Sequence, residues 1–129
     1  MKLILSAVLA VSATIHSCGT ASAERTLKAF VPGIYTAHYD GEFSSTVDSI
    51  WIKPVAGDGS QFDIVRHRHH DYNGTLKQKG PRQQTDQWVG RLDAQRRVLR
   101  IEQNGRLVYL LPERRQLQIG SRSFEKSNP

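Results

Sequence analysis

The sequence predicts an all-β domain, an antiparallel meander of seven or eight strands that curls into a small barrel or a strongly twisted sheet. Apolar segments with alternating polarity recur along the chain. Turn residues such as Asp-Gly and Asn-Gly separate these segments at intervals of about 8 to 12 residues, which is typical of sandwiches and barrels. No amphipathic run is long enough to predict a helix. Because closure removes exposed sheet edges, a meander of this kind is expected to curl.

The sharpest local signal is a hairpin in residues 97–111, where two apolar runs flank an Asn-Gly step. A two-residue type I′ turn needs φ > 0 at both central residues, which these two residue types tolerate best. Such a turn pairs Leu99 with Leu110. It also pairs Ile101 with Val108, so four aliphatic side chains share one face, and that face is expected to look into a core.

Alternation of polar and apolar residues, together with turn residues, gives the bounds of the other predicted strands. They are residues 34–39, 47–53, 61–72, 86–92, 116–119 and 122–126. The polar stretch 75–85 contains a Gly-Pro step and is predicted as either an edge strand or an exposed loop. Gly90 is interpreted as a bulge or a close backbone approach. The strand over 61–72 becomes polar after Val65 and is expected to leave the core there.

The first residues are typical of an export signal. Lys2 supplies a positive start, and the apolar run over residues 3–15 is shorter than the roughly 20 residues that a membrane-spanning helix requires. The predicted division is a signal peptide over 1–23, a tether over 24–32 and a β domain over 33–129.

Two cleavage sites compete at the end of this signal. The small residues before Glu24 fit ordinary signal peptidase, with cleavage after Ala23. The residues before Cys18 resemble a lipobox, which predicts a signal over 1–17 and a lipid on Cys18. We favour the lipoprotein, anchored to a membrane and facing the periplasm, over a soluble periplasmic or secreted protein.

Charge restricts the expected partners. Eighteen Lys and Arg face twelve Asp and Glu, for a net charge of +6, and the excess lies late in the chain. A basic balance favours nucleic acid or an anionic surface. For an exported protein the second is expected: an anionic surface, a glycan or an acidic partner protein. With one cysteine, at 18, no internal disulfide can form.

The hairpin predicts a basic binding face. In the predicted register Arg100 lies opposite Tyr109, and arginine beside an aromatic ring is suited to bind an anion or a sugar. The candidate ligand-binding residues are Arg97, Arg100, Arg106, Tyr109 and Trp88. The alternative is an ordinary cross-strand pair that keeps the sheet surface soluble.

His67 and His69 are the candidate metal ligands, because alternate residues of a strand point to the same side. A third ligand is required from elsewhere, with His38, Asp63 and Asp71 as candidates. The alternative is a solvated strand end whose histidines are interleaved with arginines.

No catalytic spacing is present: there is no phosphate loop, no Cys-x-x-Cys and no His-Glu-x-x-His. We therefore predict a non-catalytic binding or interaction module with no cofactor. The alternative is a lipocalin-like carrier with a ligand pocket inside the barrel, lined by Trp51, Trp88 and Tyr109. A metal-dependent enzyme using the two histidines is the third possibility.

Short motifs are distributed over nearly all of the region after the signal. They are Gly33-Ile34-Tyr35, Gly41-Glu42-Phe43-Ser44, Asp48-Ser49-Ile50, Trp88-Val89-Gly90, and Gly120 before Phe124-Glu125-Lys126. This pattern resembles small exported proteins of Bacteroidota-type bacteria. The resemblance implies a signal-bearing, often lipid-anchored β domain of unassigned function, and it brings no catalytic residue.

Overall fold

The computed structural model describes residues 16–74 and 80–127. In this part the chain forms one α-helix, eight strands and one 3₁₀ turn. They are α1 (His16–Phe30), β1 (Gly33–Asp40), β2 (Ser44–Pro54), β3 (Gln61–Tyr72), β4 (Arg82–Asp93), β5 (Val98–Ile101), β6 (Leu107–Leu111), the 3₁₀ turn Pro112–Arg114, β7 (Gln116–Ile119) and β8 (Arg122–Lys126).

The eight strands pair in chain order, all antiparallel, and β8 returns to pair with β1. The predicted all-β meander and its curling into a barrel are therefore confirmed. An eight-stranded barrel has an interior that is just wide enough for side chains to fill. Its inward-facing aliphatic and aromatic side chains include Ile50, Ile52, Phe62, Ile64, Leu99, Ile101, Val108, Leu110, Leu117 and Phe124.

Helix α1 packs over one end of this core. The prediction that the chain forms no helix was therefore wrong. The stretch taken as a tether is helical up to Phe30. Leu27, Phe30 and Val31 are buried in the barrel core. An apolar stripe of one turn is too short to produce a helical period, which is why the sequence pattern did not reveal it. Pro32, which cannot donate to the helix ladder, follows the last turn.

Two side chains of the barrel hold the end of α1. The Tyr35 hydroxyl donates to the carbonyl oxygens of Phe30 (2.7 Å) and Val31 (3.0 Å), and Lys126 Nζ donates to the same Phe30 oxygen (2.5 Å). The last carbonyls of a helix have no partner within it, so these bonds replace the missing ones. Burial, and then the charge of Arg115, lowers the pKa of Lys126.

The hairpin between β5 and β6 keeps the predicted faces but not the predicted register. Leu99 pairs with Val108, two residues away from the predicted partner, and the chain reverses through a four-residue loop, 102–105. Only Gly105 of the Asn-Gly step has positive φ, at 70°, whereas a type I′ turn needs it at both residues. Because side chains alternate with a period of two, a two-residue shift leaves every residue on its predicted face.

The interior face of β3 does not leave the core after Val65, contrary to the sequence-based expectation. Arg66 is buried, and the interior itself becomes polar from this residue onward. Strand β4 begins at Arg82, earlier than predicted, and residues 75–79 lie outside the described part. Gly90 marks a close approach, since a Cβ there would lie 2.8 Å from Ile64 Cδ1.

We expect Tyr35→Phe to lower the free energy of unfolding at neutral pH by about 1 to 2 kcal/mol, because the Val31 carbonyl loses this donor and the Phe30 carbonyl keeps only Lys126. Burial raises the pKa of Tyr35, partly opposed by the charge of Arg115. An unfolded tyrosine loses its proton at about pH 10. The contribution of Tyr35 to the free energy of unfolding is therefore complete below that pH and falls above it.

Urea unfolding of both proteins between pH 7 and 11 measures this effect. The difference in unfolding free energy should shrink above pH 10, because other titrating groups cancel between the two proteins. A difference that does not change with pH would contradict the assignment.

Candidate functional site

Of the three predicted arginines, Arg100 lies on the outer face of the β5–β6 hairpin, whereas Arg97 lies in the β4–β5 turn and Arg106 in the β5–β6 loop. Arg100 and Tyr109 both point outward, as predicted, and both are exposed. The observed register places Leu107 opposite Arg100 and Val98 opposite Tyr109. The predicted direct pairing of Arg100 with Tyr109 was therefore wrong, and the two are diagonal neighbours.

Ion pairs separate the arginines of this surface into two groups. Arg97 donates to Glu113 at 3.1 Å, and Arg91 pairs with Glu102. Backbone hydrogen bonding at Glu113 itself, and then the charge of Arg97, lower the pKa of that carboxyl. Arg100 and Arg106 have no ion-pair partner within residues 16–74 and 80–127, so their charge remains available to a ligand.

An outer recess of about 570 Å³ lies over β2, β3 and β4. Its lining combines one exposed indole, two valines, two side-chain amides and one opposite-charge pair. The lining residues are Trp51, Lys53, Asp63, Ile64, Val65, Gln87, Trp88, Val89 and Gln103. Trp51 is 49% exposed and lies opposite Val65 in the β2–β3 ladder.

The β5–β6 loop forms one wall of this recess. The backbone N–H of Val89 donates to Gln103 Oε1 at 3.0 Å, and the N–H of Glu102 donates to the carbonyl of Val89 at 2.9 Å. These bonds hold the loop against β4. The sequence did not indicate Gln103 as a site residue, because a two-residue turn would place it in the hairpin ladder.

The recess and Arg100 belong to one continuous surface. Val89 lines the recess, and Arg91, two residues further on the same face of β4, pairs across to Arg100 on β5. Arg106 lies in the segment that also carries Gln103. The recess, with its mixed polar and apolar lining, is thus followed on its β5 side by Arg91 and Arg100.

The interior pocket predicted for a carrier is not formed by the residues named for it. Trp51 and Tyr109 are each about half exposed, on the outside of the barrel. Trp88 packs partly against the core and also borders the outer recess. The half of the interior that adjoins α1 is filled by aliphatic and aromatic side chains, so these three residues do not enclose a common cavity.

His67 and His69 share the outer face of β3, as the alternation predicts. His67 Nδ1 is hydrogen-bonded to Thr85 Oγ1 at 3.0 Å, and His69 Nε2 lies 3.1 Å from Asp71 Oδ1. His38 contacts Asp40 instead. In residues 16–74 and 80–127, three side chains suited to hold a metal do not converge.

A buried ion pair lies inside the barrel. Asp48 has no solvent exposure, and Arg66 donates from Nε to Oδ1 (3.0 Å) and from Nη2 to Oδ2 (2.6 Å). The Arg66 guanidinium carbon is also 5.6 Å from the centre of the Phe124 ring. This pair could not be identified from the sequence, because its partners are 18 residues apart and meet only through the β2–β3 register.

Comparison of the chain with protein-family models, with curated proteins and with solved structures finds no match. Cys18, the predicted lipid-attachment residue, is the third residue of α1. Among the described residues, no helix combines the length and apolar character needed to cross a membrane.

We expect Asp48→Ala to lower the free energy of unfolding by about 3 to 5 kcal/mol, because it leaves the Arg66 charge buried without a counterion. Combining Asp48→Val with Arg66→Met should recover most of this loss, since no charge then remains buried.

The matched control is Asp86→Ala, which removes a partly exposed pair with Arg68. Its cost should stay near or below about 1 kcal/mol, as for other solvent-accessible pairs. Urea unfolding measures all three variants. Equal losses of unfolding free energy for Asp48→Ala and Asp86→Ala would contradict the assignment of Asp48 and Arg66 as a buried ion pair.

Proposed function

We propose that this chain is a non-catalytic binding module of the cell envelope that binds an acidic glycan on its outer surface. The observation that carries the proposal is the outer recess around Trp51 on the same sheet surface as Arg100, an exposed arginine with no carboxylate partner in the described part of the chain. Arg106 is also exposed and without such a partner there, and it lies in the β5–β6 loop that forms one wall of the recess.

The recess is suited to a sugar ring. A pyranose has an apolar face of C–H groups, which stacks on an aromatic ring, and a polar edge of hydroxyl groups. The half-exposed indole of Trp51 supplies the aromatic surface, and Val65 and Val89 extend it. The volume of about 570 Å³ falls within the range of about 300–1,000 Å³ that ligand sites occupy.

The polar residues of the rim are suited to hydroxyl groups and carboxylates. Gln87 and Gln103 carry amides, which can donate and accept hydrogen bonds with sugar hydroxyls. The Gln103 oxygen is already held by Val89, so its amide nitrogen is directed to the ligand as a donor. Arg100 and Arg106 can each hold a carboxylate with two parallel N–H bonds.

The charge pattern favours an acidic glycan over a uniformly anionic membrane surface. Asp63 and Glu102 lie on the same surface, and Arg91 is neutralised by Glu102. A dense layer of phosphate headgroups would repel these carboxylates. A glycan with spaced carboxylates can place neutral hydroxyls at Asp63 and its acidic groups at Arg100 and Arg106.

Export with a lipid on Cys18 is part of the same proposal, with cleavage after Ala23 as the alternative. Both cuts retain the part of α1 that reaches the core, since Leu27 and Phe30 follow either site. The helix can therefore close the barrel in both mature forms, while the Cys18 form adds a membrane tether.

We expect the protein recovered from the envelope fraction to begin at Cys18 and to carry the mass of a diacylglycerol and an N-acyl chain. Mass spectrometry of the N-terminal peptide measures this directly, and Cys18→Ser should remove the lipid mass. An N-terminus at Glu24 would contradict the anchor and leave the glycan proposal intact.

We expect the purified protein to bind oligogalacturonate, an acidic glycan, more tightly than a neutral galactose oligomer of equal length. Trp51→Ala should weaken binding at least tenfold, or about 1.4 kcal/mol. The double reversal Arg100→Glu with Arg106→Glu should abolish binding, because it replaces both carboxylate contacts with repulsion.

Isothermal titration near physiological salt is the measurement, since low salt exaggerates nonspecific charge attraction. The matched control is Arg25→Glu with Arg114→Glu, which changes the net charge equally at exposed positions of α1 and the 3₁₀ turn. Equal loss in both double variants, or no loss in the first, would overturn the proposed site.

A further inference from the structure

The barrel end opposite α1 has a polar inner face. Strands β2, β3 and β4 have eleven or twelve residues, whereas β5 to β8 have four or five. The long strands therefore extend beyond the short ones, and their inner faces line an open mouth. The inward-facing polar residues at this end include Tyr39, Thr46, Arg68, His70, Asp86 and Arg122.

Two arginines lie on the inner face at this end of the barrel. The contact of Arg66 with the Phe124 ring spans the barrel from β3 to β8. Because residues two apart share a face, the next inward residues toward the open end are Arg68 on β3 and Arg122 on β8. In the β2–β3 ladder Arg68 is the direct cross-strand neighbour of Asp48, so it lies beside the buried pair of Asp48 with Arg66, and Arg122 is the next inward residue after Phe124 on β8.

Arg122 is positioned by an aromatic ring rather than by a carboxylate. Its guanidinium carbon lies 3.3 Å from the centre of the Tyr39 ring, as in a stacked cation–π pair. Within residues 16–74 and 80–127 it has no ion-pair partner. Stacking holds the plane of the guanidinium and leaves its N–H edge for an acceptor.

Arg68, on the inner face at the same end of the barrel, has an N–H group without an acceptor. Its Nη2 donates to Asp86 Oδ2 at 3.0 Å, but its Nε is buried and meets no acceptor in the described part of the chain. A buried donor without a partner is costly, and such groups normally mark a missing acceptor. The side chain as a whole is 25% exposed, so part of the guanidinium borders the mouth, and a rotation of this group would bring the covered Nε to a ligand there.

We propose that this mouth binds a small oxyanion, a carboxylate or phosphate group, between Arg68 and Arg122. Arg68, Arg122 and Asp86 together carry one net positive charge, and the adjoining pair of Asp48 with Arg66 is neutral. One oxyanion completes the charge balance and supplies the acceptor that Arg68 Nε lacks. At least two acceptor oxygens are required, which selects oxyanions over halides.

This site is separate from the glycan surface, because it lies on the inner face of the barrel. Thr46 Oγ1 and His70 Nδ1, joined at 2.7 Å, lie one layer further out and form the rim of the mouth. The two sites can therefore be tested independently with variants that touch only one of them.

The test is a titration of ¹⁵N-labelled protein with inorganic phosphate, and separately with acetate, against chloride at constant ionic strength. We expect the Arg68 Nε–H resonance to shift saturably and to exchange more slowly with water once bound. Saturation by phosphate alone indicates a phosphate ligand, and saturation by acetate alone indicates a carboxylate ligand. Saturation by both supports a site for oxyanions of either class. No saturation beyond chloride overturns the proposal.

Arg68→Gln and Arg122→Gln should each weaken oxyanion binding at least tenfold, whereas Arg114→Gln at the opposite end should not change it. Arg100→Glu, on the outer face, should also leave it unchanged. If that reversal abolishes phosphate binding, the anion binds the outer surface and the mouth site is wrong. The wild-type Arg68 Nε–H signal decides the question even if a variant fails to fold.

Discussion

The ion pair between Asp48 and Arg66 sets the point where the apolar core of this barrel ends. Buried charges are tolerated only when they are paired and hydrogen-bonded, and here both carboxylate oxygens are occupied. The Arg66 guanidinium also lies over Phe124, so it covers the last apolar layer. Between this pair and α1 the interior is filled with apolar side chains. Between this pair and the open end, charged side chains can face inward with a small loss of solvation free energy.

This division determines where a ligand can bind. The half of the barrel between the ion pair and α1 is occupied by its own side chains, so both proposed sites lie elsewhere, on the outer surface and at the open end. The outer surface carries an exposed indole, side-chain amides and, among the described residues, an arginine without an ion-pair partner. The open end carries the guanidinium groups of Arg68 and Arg122. One closed sheet thus presents two chemically different surfaces without sharing any of their residues.

Parts of the fold follow directly from local patterns. Strands β3, β7 and β8 have the bounds predicted from alternation and turn residues. The faces of the β5–β6 hairpin were also correct, although its register was shifted by two residues. An Asn-Gly step admits both a type I′ turn and a longer loop with glycine at the left-handed position, so local sequence does not choose between them. Helix α1 was missed because its buried stripe covers one turn.

The residues alone specify which side chains share a face, because orientation along a strand depends only on a two-residue period. They therefore predicted that Arg100 lies on the face opposite the core and that His67 and His69 share one side of their strand. Which of those faces is the inside of a closed barrel, and which partner each charge meets, depends on closure and register between segments distant in the chain. Asp48 meets Arg66, and Gln103 reaches the Trp51 recess, only because eight strands close on themselves around a core that must exclude water.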